Sequence, residues 1–160
     1  MSLEKLFATN KKMEREGIFI DYGPNEDMPG DPPPSTRFKV ARSGGSNVAY
    51  GKVLERITKP WKRALQNGQV SNERAKEMDR EAFIETCLLG WDNVTLGGKV
   101  LDFSKENATV LFTALPDLYD DLRDQASSSA LFREETRDAD LGNSGTSLST
   151  DSNKATSSEL

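Results

Sequence analysis

The chain has 160 residues, 35% of them hydrophobic and 29% charged, with a mean hydropathy of −0.64. That length suits one domain plus a tail, and no run of about 18 apolar residues is present to cross a membrane. There is no histidine and one cysteine, Cys87. These two counts exclude the usual Ser–His and Cys–His triads, every His-containing metal site and an intramolecular disulfide.

Residues 3–15 predict a short helix with Leu3, Leu6, Phe7 and Met13 on one side, stopped by Gly17. Ile18 to Tyr22 is apolar and β-favouring and predicts a short strand closed by Gly23-Pro24. Residues 24–36 contain five prolines and three acidic residues, so they predict a mobile, polyproline-like insert that buries no core. Arg37 to Arg42 alternates polar and apolar, which predicts a strand with Phe38 and Val40 inward, paired antiparallel with 18–22. The turn Ser43-Gly44-Gly45-Ser46-Asn47 opens a helix in which Tyr50, Leu54, Ile57, Trp61 and Leu65 recur on one face. Pro60 predicts a kink or break near Thr58-Lys59, and Asn67-Gly68 ends the segment.

Ser71 caps a further helix expected over about 72–90, with Ala75, Met78, Ala82, Thr86 and Leu89 on one side and Gly90 at its end. Val94 to Leu101 reads as two short strands joined by Gly97-Gly98. Ser104 caps a helix over 105–114, and Pro116 begins another expected to reach about residue 136. From Leu141 to Leu160, nine of twenty residues are Ser or Thr, the composition of a disordered tail. The fold class is therefore α+β and mainly helical. It has an N-terminal two-stranded pairing, a Gly-Gly hairpin, four to five helices and a disordered C-terminal tail. A single domain spans 1–140 with the insert at 24–36, and the tail spans 141–160.

The chemistry inventory contains no catalytic or cofactor motif, so an enzyme is the least favoured class, and no cofactor or metal is expected. Cys87 has no histidine to activate it and reads as a buried structural thiol. Asp117, Asp120, Asp121 and Asp124 suit a helix start better than a metal site. The Ser43–Ser46 turn lacks the lysine of a phosphate loop and reads as a plain strand-to-helix turn.

Charge is distributed in blocks. Residues 36–76 hold ten basic residues against Glu55 and Glu73, whereas 77–140 hold six basic and fifteen acidic residues. Such blocks either complement each other within the fold or form separate docking faces. Tyr50 and Trp61 lie among the basic residues, but their spacing assigns them to the core stripe first and to base stacking second. A pI near 4.9 argues against a dedicated nucleic-acid binder.

The string Arg37 to Asn47, the following basic helix with Lys59-Pro60, Trp91 to Val94, Gly98 to Ala108, Leu115 to Leu118 and Phe132 to Glu135 occur in this order. Together they resemble the tail assembly chaperones of long-tailed bacteriophages over about residues 3–140. The insert and the Ser/Thr tail are not part of that pattern. The resemblance implies a non-enzymatic protein of the host bacterial cytoplasm that is absent from the mature virion. Such a protein binds the tape measure protein, keeps it soluble and helps recruit tail tube protein. No membrane is involved, and there is room for a homo-oligomer. The family has no catalytic signature from which to carry over binding residues. The local charge places the expected partner contacts at Arg56, Lys59, Trp61, Lys62 and Arg63. Two other readings stand beside it: a structural or tail completion protein retained in the virion, and a nucleic-acid-associated phage protein using the basic block 37–76.

Overall fold

The computed structural model describes residues 2–133. Its first helical stretch is divided into α1 (Leu3–Phe7) and α2 (Lys11–Glu16) rather than running continuously over 3–15. The break has a local cause and a tertiary one. Asn10 caps α2 by accepting from the Met13 N–H at 3.0 Å, and its own N–H donates to Phe132 O at 2.7 Å. Gly17, at φ +92°, ends α2 and turns the chain into β1 (Ile18–Pro24).

β1 pairs antiparallel with β2 (Ser35–Val40), with Ile18 opposite Val40 and Ile20 opposite Phe38, as the alternation predicts. The sheet has a third strand, of which the sequence pattern places the first three residues, Leu88 to Gly90, at the end of a helix. The helix α5 (Asn72–Thr86) stops at Cys87, and Leu88–Asp92 forms β3 on the far side of β2. Leu88 and Trp91 turn inward opposite Val40 and Phe38. Pairing here satisfies the second edge of β2, a gain that a last helical turn would forfeit. Across the core face, Tyr22, Phe38, Trp91 and Phe103 stack edge to face, with centroids 5.8, 5.7 and 5.0 Å apart.

The expected hairpin is present as β4 (Thr95–Leu96) and β5 (Lys99–Val100), turning at Gly97 and Gly98, both with positive φ. Asn93 ties this corner to the β1–β2 loop. Its carbonyl accepts from Asn25 at 2.9 Å and Thr36 at 2.8 Å, and its amide donates to Ser35 O at 2.8 Å. The base of the proline-rich segment is thereby fixed to the sheet.

The helices cover one face of the sheet. They are α3 (Val48–Thr58), a 3-10 turn at Lys59–Trp61, α4 (Lys62–Gln66), α5, α6 (Lys105–Ala114) and α7 (Pro116–Ser127). Ser71 and Ser104 cap α5 and α6 through their hydroxyls. The last helix ends at Ser127 rather than near 136, because Ser128 is extended and a 3-10 turn, Ser129–Phe132, comes next and buries Phe132. The expected domain end at 140 and the tail at 141–160 lie outside the described residues. Phe83, Phe112 and Tyr119 form the aromatic centre of the helical layer, with Leu111, Leu122 and Cys87 around them. Burial pushes the Cys87 thiol up to about 11, in keeping with a packed thiol.

Two polar nodes join the layers. In the first, the Glu14 carboxylate, with its side chain 2% exposed, pairs with Arg42 and accepts from Ser46 N–H and Oγ. Gly45 sits at φ +56°, and a Cβ there would lie 2.5 Å from Glu14 Oε2. The turn's amide is therefore used on the chain's own carboxylate. In the second node, Asp79 of α5 accepts from the hydroxyls of Tyr50 on α3 and Tyr119 on α7, and from Arg123 Nε of α7 at 3.0 Å. Arg123 also donates to Ser43 Oγ at 2.7 Å and to the Tyr50 hydroxyl at 2.8 Å.

Burial pushes the Asp79 carboxyl up, but the two tyrosine hydroxyls and Arg123 outweigh it and hold it below the usual carboxylate range. Glu14 is lowered in the same way, with Arg42 and Ser46 outweighing its burial. Burial and the neighbouring Asp79 push Tyr50 up to about 12 and raise Tyr119 as well. A lowered carboxyl gives its full stability above its unfolded value, about pH 4, and loses it as pH falls through the folded value. A raised tyrosine gives its full share below about pH 10 and loses it as pH rises through the folded value. Circular-dichroism melts across pH should therefore show a plateau with an acid and an alkaline limb. Asp79→Asn should cost about 2–4 kcal/mol at neutral pH and flatten the acid limb to the part owed to Glu14.

Candidate partner-binding surface

The helix α3 is amphipathic. Tyr50 is buried and Val53, Leu54 and Ile57 pack against the core, while Lys52, Glu55 and Arg56 face outward. The helix tightens where Pro60 enters: Lys59–Trp61 is a 3-10 turn before α4 resumes. Gly68, at φ +67°, lies just beyond the end of the arm. The result is a bent helical arm whose outer side is concave. Lys52, Glu55, Arg56, Lys59, Lys62 and Leu65 line this cup, four cations against one carboxylate. The head group of Arg56 is held by Glu85 of α5, with Nη2 at 3.0 Å from both carboxylate oxygens. Among the described residues, Lys52, Lys59 and Lys62 form no ion pair.

Of the five residues expected to meet a partner, Arg56, Lys59 and Lys62 are brought together in the cup. Trp61 and Arg63 are exposed but do not line it. The expectation that Trp61 belongs to the core before anything else is not met: it is 38% exposed, with the Arg74 guanidinium over its ring at 4.8 Å. The cause is helical phase. A 3-10 residue turns by about 120° and an α residue by about 100°, so three such residues rotate the rest of the arm by about 60°. Trp61 and Leu65 share the period of Tyr50, Leu54 and Ile57 but leave their face, and Leu65 is 39% exposed in the cup. Tyr50 does lie in the core.

Lys52 and Leu65 are cup residues that the sequence pattern did not single out as contacts. The break announced by Pro60 was the available signal, since residues one to two turns to either side of it, Lys52 before and Leu65 after, line the cup. Of the four acidic residues singled out on α7, two serve contacts within the fold: Asp120 pairs with Lys76 at 2.8 Å, and Asp121 accepts from Tyr22 and Gln125.

The YdaY prophage protein family matches residues 45–143, well over half of the chain. The chain belongs to this prophage protein family. The matched stretch begins in the turn before α3 and takes in the whole arm, α5, β3, the hairpin, α6 and α7. A bacteriophage origin, expected from the order of motifs, is thereby shown. No curated protein and no solved structure matches the chain. Among the described residues, no helix is long and apolar enough to cross a membrane.

The two tryptophans should report the surface separately. Trp91 is 8% exposed and donates from Nε1 to Leu101 O at 2.8 Å, whereas Trp61 is open on the arm. Acrylamide should quench part of the fluorescence readily, and Trp61→Phe should remove that part while changing stability by less than about 0.5 kcal/mol. Trp91→Phe should leave the quenchable part and lower the melting temperature.

Proposed function

We propose that this prophage protein is a tail assembly chaperone, a non-enzymatic protein of the host cytoplasm that is not retained in the mature virion. It binds the tape measure protein, keeps it soluble and helps gather tail tube subunits around it. The observation that carries the reading is the bent basic arm, whose cup leaves three lysines unpaired among the described residues. A long helical client is expected to be amphipathic, and acidic turns beside its apolar stripe are what this surface would take. The cup meets these with Lys59 and Lys62 around Leu65, in the helix-in-groove mode. The order of sequence motifs, with the prophage family match over the same arm, supports it from the side of origin. The same cations favour one second reading, contact with a nucleic-acid backbone, which a gel shift falling steeply with salt distinguishes.

The test is co-expression with the tape measure protein of the same genome, followed by pull-down on this chain. Soluble, co-eluting tape measure protein is the expected result. Lys59→Glu/Lys62→Glu/Arg63→Glu should reduce the retained client by about tenfold or more. A client that precipitates alone while this chain stays in solution would overturn the chaperone reading. Retention unchanged by the reversal would overturn the role of the arm. Mass spectrometry of purified virions separates a chaperone from a retained tail component.

A further inference from the structure

Opposite the cup in charge stands the loop between β1 and β2. It carries Glu26, Asp27 and Asp31, with no basic residue from Pro24 to Thr36. All three carboxylates are exposed, as are Pro29, Gly30 and Pro32 at the tip. Among the described residues, the Glu26 and Asp31 side chains have no hydrogen bond or ion pair, and Asp27 accepts only from the Thr95 hydroxyl at 3.2 Å. The base of the loop is fixed to the β3–β4 corner through Asn25 and Thr36. The cup lies on the α3–α4 arm, and no ion pair among the described residues joins it to the loop.

We infer that the acidic β1–β2 loop of one copy docks in the basic α3–α4 cup of a second copy. Three carboxylates without ion pairs meet a cup in which Lys52, Lys59 and Lys62 carry no ion pair, Arg56 is already held by Glu85, and Glu55 is the one carboxylate of the lining. The base of the loop is fixed to the β3–β4 corner and its five prolines restrict the backbone, which limits the ordering entropy that docking costs. Leu65 at the cup wall offers an apolar contact for a proline ring. Loop and cup are different surfaces of the same chain, so the contact either repeats head-to-tail from copy to copy or is exchanged reciprocally within a two-fold pair. No client takes part, so the inference does not depend on the proposed function.

The experiment is sedimentation velocity on the full chain over a range of concentrations at low and high salt, with two neutralised variants. These are Lys59→Gln/Lys62→Gln in the cup and Glu26→Gln/Asp27→Asn/Asp31→Asn in the loop. All five positions are exposed, and circular dichroism confirms that each variant folds. The wild-type mass should rise with concentration at low salt and return to one copy at high salt. Each variant alone should associate about tenfold more weakly or worse. An equimolar mixture restores one intact cup facing one intact loop, so it should form a two-copy species and nothing larger. A wild type that stays monomeric at low salt would leave the cup to an acidic client and overturn the inference. So would variants that associate like the wild type, or a mixture that stays monomeric.

Discussion

The carboxylate of Asp79 gathers the helical layer. Tyr50 from α3, Tyr119 and Arg123 from α7, and through Arg123 the Ser43 turn, all converge on it. A carboxylate only 27% exposed is costly unless its lone pairs are filled, and here two hydroxyls and a guanidinium fill them. The Tyr50 hydroxyl donates to Asp79 and accepts from Arg123, closing a ring in which each bond polarises the next. The consequence for the surface is direct. The apolar face of α3 is only partly buried at Val53, Leu54 and Ile57, and those contacts alone permit the helix to roll. Tyr50 fixes its rotation, and with it the direction in which Lys52, Arg56 and the bend beyond them point.

The sequence was most legible where one period ruled a segment and a cap or a glycine closed it. The strand around Phe38 and Val40, the Gly97-Gly98 hairpin and the helices capped by Ser71 and Ser104 are of this kind. It was least legible where two demands met. Cys87-Leu88-Leu89 continues a helical stripe and also begins a β alternation, and the unpaired edge of β2 decided between them. Asn10 lies inside a helical pattern but serves as a cap because Phe132, more than a hundred residues away, takes its N–H. Asp79 beside Met78 gave no signal, since a carboxylate on a helix reads as solvated until its partners from other elements are known. For the candidate surface, charge located the arm, but the phase change at Pro60 decided which residues form one cup.

The two charge blocks complement each other in part within the molecule. Arg56 with Glu85 and Lys76 with Asp120 each join the basic block to the acidic one. Both are exposed pairs, worth at most about 1 kcal/mol each and less in salt. They orient neighbouring elements more than they stabilise the fold. The lysines of the cup and the carboxylates of the β1–β2 loop are left out of this pairing. Charge that the fold does not consume sets the encounter with other molecules, chiefly its rate and its choice of partner.

The cup lies inside the stretch matched by the prophage family, and the acidic loop lies before it. Two acidic segments that need the same lysines of the cup compete for them. If the cup takes both a client helix and the loop of a second copy, the two events exclude each other, and linkage makes the exclusion reciprocal. On those terms, a copy loaded on a client would release a loop, and each added client would shift the population away from assemblies of the chain alone. Because both proposed contacts draw on the same exposed lysines, salt would weaken them together and leave the balance between them to their apolar parts, Leu65 against a proline ring or against a client's helical stripe.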